Sequence, residues 1–158
     1  RLIRKKTARG TINLNSNSSM PAAIEKLAAA GLDSLRVSLN SARADYHRRY
    51  YRPKGFDLED VKESIRVMKR AGRFVSLNYF MLPGFTDDPA EFAALSSLVA
   101  DCCPDFIQLR NLNMDPDWYL DEIKFAASGP ALGILTWLEK LREAFPHLDF
   151  GYFNPPLR

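Results

Sequence analysis

The side chains able to do chemistry gather at the carboxyl ends of four short alternating stretches. They are Asn15, Ser16 and Asn17; Ser38, Asn40 and Ser41; Asn78 with the loop at Pro83 and Gly84; and Gln108, Arg110, Asn111 and Asn113. These are amides, hydroxyls and one guanidinium. Such groups hydrogen-bond at neutral pH and suit a polar ligand with hydroxyls and a carboxylate. The set lacks a nucleophile with its base, a pair of acid and base carboxylates, and three metal ligands. No catalytic or metal-binding residue is assigned, and these residues read as a binding wall whose reactive centre lies elsewhere.

Alternation is what positions them. After Gly31, which stops a helix, Leu35, Val37 and Leu39 alternate with Ser34, Arg36, Ser38 and Asn40, the period of a strand with one apolar and one polar face. Residues 11–17 set Ile12 and Leu14 against three asparagines, residues 73–81 set Val75, Leu77, Tyr79 and Met81 against Ser76 and Asn78, and residues 106–113 set Ile107 and Leu109 against Gln108 and Arg110. One such strand reads equally as a half-solvated sheet face. Four with matching polar faces point to one shared lumen, because a parallel strand covered on both sides would be apolar throughout.

Between the strands lie helical patterns. One follows Pro21, with Ser18 or Ser19 as the expected cap. Another is opened by Asp57 with Asp60 as a capping pair and carries Val61, Ile65 and Met68. A third runs over residues 90–100 and a fourth over residues 132–144. A helix end is expected at residues 1–8, a short helix or ordered loop at residues 118–127, and a last strand or surface peptide at residues 148–154. Strand and helix alternating with short connections imply right-handed crossovers and a parallel sheet. The expected fold is α/β, a partial TIM-like (β/α) barrel with its functional end at the carboxyl ends of the strands.

The 158 residues, 46% hydrophobic and 26% charged, suit a single globular domain. A net charge of +3 is too mild to require a nucleic acid or an anionic membrane. The only cysteines, Cys102 and Cys103, are adjacent, which offers no disulfide framework and fits a reducing cytoplasm. No apolar run spans a bilayer, and residues 1–9 lack the core of a signal peptide.

The stretches GTINLNSNSSMP, AGLDSLRVSLNSAR, YYRP, LNYFMLPGFTD and IQLRNLNMDP, in that order, resemble successive strands of a radical S-adenosylmethionine (radical SAM) protein. The resemblance implies a partial (β/α)6 barrel that holds a 4Fe-4S cluster and S-adenosylmethionine, cleaved reductively to methionine and a 5′-deoxyadenosyl radical. On that resemblance, Ser16 and Asn17 lie near the methionine part of the cofactor, and Ser38 and Asn40 match a Ser-x-Asp ribose pair, with Asn in place of Asp. Asn78 shares that wall, Met81, Pro83 and Gly84 pack beside adenine, and Gln108 and Arg110 meet adenine or substrate. The C-x3-C-x2-C cluster motif and the Gly-Gly-Glu segment are absent. The expectation is a carboxyl-terminal part of such a domain, about strands 3 to 6, whose cluster ligands lie upstream. The parent would use a flavodoxin or ferredoxin as electron donor.

Two other readings stand beside this one. The basic, aromatic segment 41–55 could stack bases and hold phosphates as an RNA-binding module, or form a surface helix with tyrosines inward and arginines wet. An ordinary (β/α) barrel enzyme would need a catalytic Lys, His or carboxylate at a strand end, and the four polar faces offer none.

Overall fold

The computed structural model describes residues 2–155. Five strands, β1 (Asn13–Ser16), β2 (Ser34–Leu39), β3 (Phe74–Met81), β4 (Phe106–Asn111) and β5 (Asp149–Gly151), form one parallel sheet in the order β1-β2-β3-β4-β5. The helices are α1 (Leu2–Lys6), α2 (Pro21–Ala29), α3 (Ala44–Tyr51), α4 (Leu58–Arg70), α5 (Pro89–Cys102), α6 (Pro116–Ile123) and α7 (Ile134–Ala144). Each strand pairs with the next in sequence, the winding of a (β/α) barrel. The expected α/β class and barrel-like architecture are what the chain adopts.

The register puts Leu35 beside Val75, and Val37 beside Leu77, which in turn pairs with Ile107; all five are fully buried. They form one core with Ile24 and Ala28 of α2, Val61, Ile65 and Met68 of α4, Leu95 and Leu98 of α5, and Trp137 and Leu141 of α7. Each Val, Leu, Ile or Met among them contributes about 1.5–3 kcal/mol by leaving water. The apolar face of every strand is therefore committed to the helices, and the alternate residues face the other way.

That inner face is concave. Arg36 of β2 donates through Nη1 to Gln108 Oε1 of β4 at 3.0 Å, across the intervening strand. Ser76 of β3 is the register partner of Arg36, and its small side chain leaves room for the guanidinium to pass. Arg36 Nε also donates to Asn15 Oδ1 at 2.8 Å, and Gln108 Nε2 donates to Asn154 Oδ1 at 2.8 Å. A chain of polar groups thus links β1, β2 and β4 to the segment after β5.

Local signals behave as their chemistry requires at most junctions. Asp57 accepts from the Glu59 and Asp60 amides, and Asp60 accepts from the Asp57 amide, the expected capping box on α4. Gly31 sits at φ +100°, and a Cβ there would lie 2.8 Å from Arg4 Cγ, so glycine is required both by conformation and by space. The cap of α2 differs from expectation: its first turn follows Met20, with no side-chain cap. Ser18 instead turns the chain at φ +57°, donates its N–H to Ser16 Oγ at 2.9 Å and accepts the Ser64 hydroxyl of α4 on its carbonyl at 2.7 Å. Among the described residues, no helix is long and apolar enough to cross a membrane.

Candidate functional site

At the carboxyl ends of β2, β3 and β4 lies a cavity of about 500 Å³. Ser38, Asn40, Asn78 and Arg110, four of the residues anticipated from the strand ends, line it together. Gln108 lies just outside, held through Arg36, and lines an adjoining cavity of about 320 Å³. Ser16, Asn17, Met81 and Gly84 are not in the lining. Met81 packs with the helix-facing core, Ser16 and Asn17 accept the backbone amides of Ser18 and Ser19, and Gly84 is drawn into its own turn, its N–H donating to Asp87 Oδ1 at 2.6 Å.

Asn40 is the most informative of the four. It is 3% exposed, and its Nδ2 donates to the Tyr46 carbonyl at 3.3 Å and to the Tyr119 hydroxyl at 3.2 Å. Its Oδ1 is buried with no donor. A buried acceptor left open costs about 1–3 kcal/mol, while the amide of the same side chain ties the end of β2 to α3 and α6. Beside it, Tyr51 donates its hydroxyl to the Ser38 carbonyl at 2.8 Å. Burial pushes the phenols of Tyr51 and Tyr119 well above the usual range, which keeps both as neutral hydrogen-bond groups.

Behind Asn40 is a support that sequence reasoning misses. Glu91 of α5 is fully buried, and its carboxylate accepts the Ser41 hydroxyl at 2.6 Å, the Ala42 amide at 2.7 Å and the Tyr79 hydroxyl at 2.6 Å. Burial raises its pKa, and the hydrogen bonds from Ser41, Tyr79 and Ala42 act in the opposite direction. This carboxyl group fastens the turn that carries Asn40 to β3 and α5. The next loop is fastened in the same way. Asp88 caps α5 through the Ala90 and Glu91 amides and accepts both the amide and the hydroxyl of Ser128. Burial would raise the Asp88 pKa, but those hydrogen bonds outweigh it and bring the carboxyl below its ordinary value.

Arg36 is the lining residue that a search of strand ends passes over, because it sits mid-strand; its signal is the alternation of β2 itself. Tyr50, Tyr51 and Tyr152 add an aromatic wall. Among the described residues the lining contains no Asp, Glu, His, Lys or Cys, and the groups it does contain are suited to binding and orienting a ligand.

The basic segment folds as α3 and uses most of its cations internally. Arg43 pairs with Asp45 and lies 4.2 Å from the Tyr46 ring centre, Arg49 donates to the Ile123 and Lys124 carbonyls at the end of α6, and Arg52 pairs with Glu122 at 2.5 Å. The segment is a helix with Tyr46 turned inward, as the surface-helix reading has it, but three of its arginines are partnered instead of simply solvated.

The model of the radical SAM superfamily matches residues 1–95. This chain belongs to the radical SAM superfamily. Its fold is similar to that of a radical SAM methyltransferase from Sphaerobacter thermophilus (TM-score 0.54, 18% identity, 88% of this chain and 40% of that one). It is also similar to coproporphyrinogen III oxidase from Escherichia coli, a radical SAM enzyme (TM-score 0.59, 19% identity, 90% of this chain and 35% of that one). The chain therefore spans well under half the length of either structure. A comparison with curated proteins gives no match.

Radical SAM proteins in general hold S-adenosylmethionine and a 4Fe-4S cluster, which together supply a reductively generated radical. The amides and hydroxyl of Asn40, Asn78 and Ser38 in the cavity lining are groups that hydrogen-bond a hydroxyl-rich ligand. Nothing described fits the cluster: among the described residues, no group of three or more His, Cys, Asp or Glu side chains could hold a metal ion. Cys102 is buried and Cys103 exposed, side by side on the far end of α5.

Proposed function

We propose that this chain forms the ribose, adenine and substrate wall of a radical SAM enzyme, with β1 to β4 as the third to sixth strands of its barrel. The observation that carries the reading is the convergence of Ser38, Asn40 and Asn78 on one cavity of about 500 Å³ at the carboxyl ends of β2 and β3. A ribose would find hydrogen-bonding groups from the end of β2, at Ser38 and Asn40, and from β3 beside it, at Asn78. The cluster ligands and the electron donor, of flavodoxin or ferredoxin type, lie outside this chain. The role of these residues is to bind and orient the nucleoside while excluding water.

The test uses the full-length protein. Incubated anaerobically with S-adenosylmethionine and a strong reductant, it should release 5′-deoxyadenosine. Asn40→Ala should weaken binding of 5′-deoxyadenosine roughly two- to tenfold, the scale of one neutral hydrogen bond. Absence of 5′-deoxyadenosine release, together with nucleoside affinity unchanged in Asn40→Ala, would refute the proposal.

A further inference from the structure

Among the described residues, the cavity holds two guanidiniums with no acid to match them. Arg36 and Arg110 both line it, its lining contains no carboxylate, and neither arginine has an ion-pair partner among the described residues. Surface arginines can remain unpaired at little cost, but these two are half-buried on rigid strands, where an uncompensated charge is less well solvated.

Each is held by neutral groups that fix its plane and leave its charge in place. The Arg36 guanidinium is pinned between Asn15 Oδ1 at 2.8 Å and Gln108 Oε1 at 3.0 Å, and only Nε and Nη1 are used. Arg110 lies over the rings of Tyr152 and Phe153, at 4.2 and 5.5 Å from their centres. It makes no side-chain hydrogen bond among the described residues. A guanidinium carries five N–H donors in a planar fork whose natural acceptor is a carboxylate. Two such forks, each oriented by neutral partners, form an anion site. Phe80, Leu112 and Met114 supply apolar surface in the same lining.

We infer that the substrate bound beside the nucleoside is an organic acid, an apolar body bearing carboxylate groups that Arg36 and Arg110 grip. This inference rests on the proposed nucleoside wall, and the two can fail separately. Arg36 and Arg110 select the charge of the substrate, while Ser38, Asn40 and Asn78 hold the cofactor's sugar and base.

Isophthalate serves as the probe, with neutral isophthalamide as its control, titrated by calorimetry into full-length protein saturated with 5′-deoxyadenosine. Isophthalate should bind and isophthalamide should not. Arg36→Gln and Arg110→Gln should each weaken isophthalate roughly tenfold or more, the scale of a charge-assisted pair. Arg110→Lys, which keeps the charge and loses the fork, should fall between wild type and Arg110→Gln. 5′-Deoxyadenosine affinity should change by less than about threefold, since that ligand carries no acid. The inference is overturned if isophthalate does not bind, if isophthalamide binds equally well, or if both glutamine variants keep wild-type affinity. It is also overturned if isophthalate competes with S-adenosylmethionine for the arginines, which would assign them to the cofactor's own carboxylate. Acid binding that persists while 5′-deoxyadenosine fails to bind would sink the nucleoside wall and leave the acid site standing.

Discussion

Replacing Glu91 tests whether one buried carboxyl group holds the site in shape. Glu91→Ala removes the acceptor of the Ser41 hydroxyl, the Ala42 amide and the Tyr79 hydroxyl, on residues that are at most 7% exposed. A buried donor deprived of its partner costs about 1–3 kcal/mol. The Ser41 hydroxyl can rotate, so the Ala42 amide and the Tyr79 phenol set the scale, about 4 kcal/mol together. At about 2–4 °C per kcal/mol for 150–250 residues, melting of a unit of this size should fall by roughly 10 °C, and that of a larger cooperative unit by less. Glu91→Gln behaves differently. Its carbonyl oxygen still accepts from Ala42 and Tyr79, its amide can donate to Ser41 Oγ, and it removes a charge whose burial is costly, so the loss should stay within about 1 kcal/mol. The assay is thermal and urea unfolding of the full-length protein followed by circular dichroism, with 5′-deoxyadenosine affinity measured alongside. Because Ser41 adjoins Asn40, nucleoside binding should weaken in Glu91→Ala and recover in Glu91→Gln. Two variants that melt alike, or an alanine variant within about 1 kcal/mol of wild type, would refute the reasoning.

His47 and the cysteines give two further predictions. His47 is buried against Tyr51 and Phe56, and burial lowers its pKa, with Asp57 pulling weakly the other way. Its neutral form is therefore favoured in the folded state: the stability it contributes is complete above its unfolded pKa of about 6.5 and is lost as pH falls through the lower folded value. Wild type should lose stability faster than His47→Phe from about pH 7 to 5, and parallel curves would count against this. A thiol reagent at neutral pH should modify exposed Cys103 and spare Cys102, whose thiol is pushed up to about 12 by burial; equal labelling of both in the native protein, followed by peptide mass spectrometry, would contradict it.

Much of the architecture was legible because it depends on short-range pattern. The alternation at Leu35, Val37 and Leu39 announces both the strand and which of its faces meets helices, and the Asp57–Asp60 pair announces the start of α4 within a residue. What escaped the sequence depends on contacts between distant segments. Glu91 looks like a solvated residue near a helix start, since carboxylates are rarely fully buried without partners, and its partners lie on β3 and in the turn after β2. Arg36 stands in plain view on the polar face, yet only the curvature of the sheet shows that it reaches β4. The serines before Pro21 matched a capping pattern, but α4 supplies a hydroxyl that draws Ser18 into a turn instead. Met81 sits one residue out of phase with the lumen, and its placement beside the helices follows from the same alternation that put Asn78 inside.

Asp87 and Asp88 carry a consequence for the order in which the chain takes shape during synthesis. Asp87 accepts the amide of Gly133, 46 residues further on, and Asp88 accepts the amide of Ser128, 40 residues further on. A ribosome that has translated only as far as residue 95, where the stretch matching the superfamily ends, has made the loop at Pro83 and Gly84 but not the residues that fasten it. At typical elongation rates of about 5–20 residues per second, that loop waits on the order of seconds for its fastenings, in addition to the time needed to clear the exit tunnel. The recognisable stretch is therefore not a unit that can be excised with its ligand wall intact: its last motif is finished by the residues that follow it.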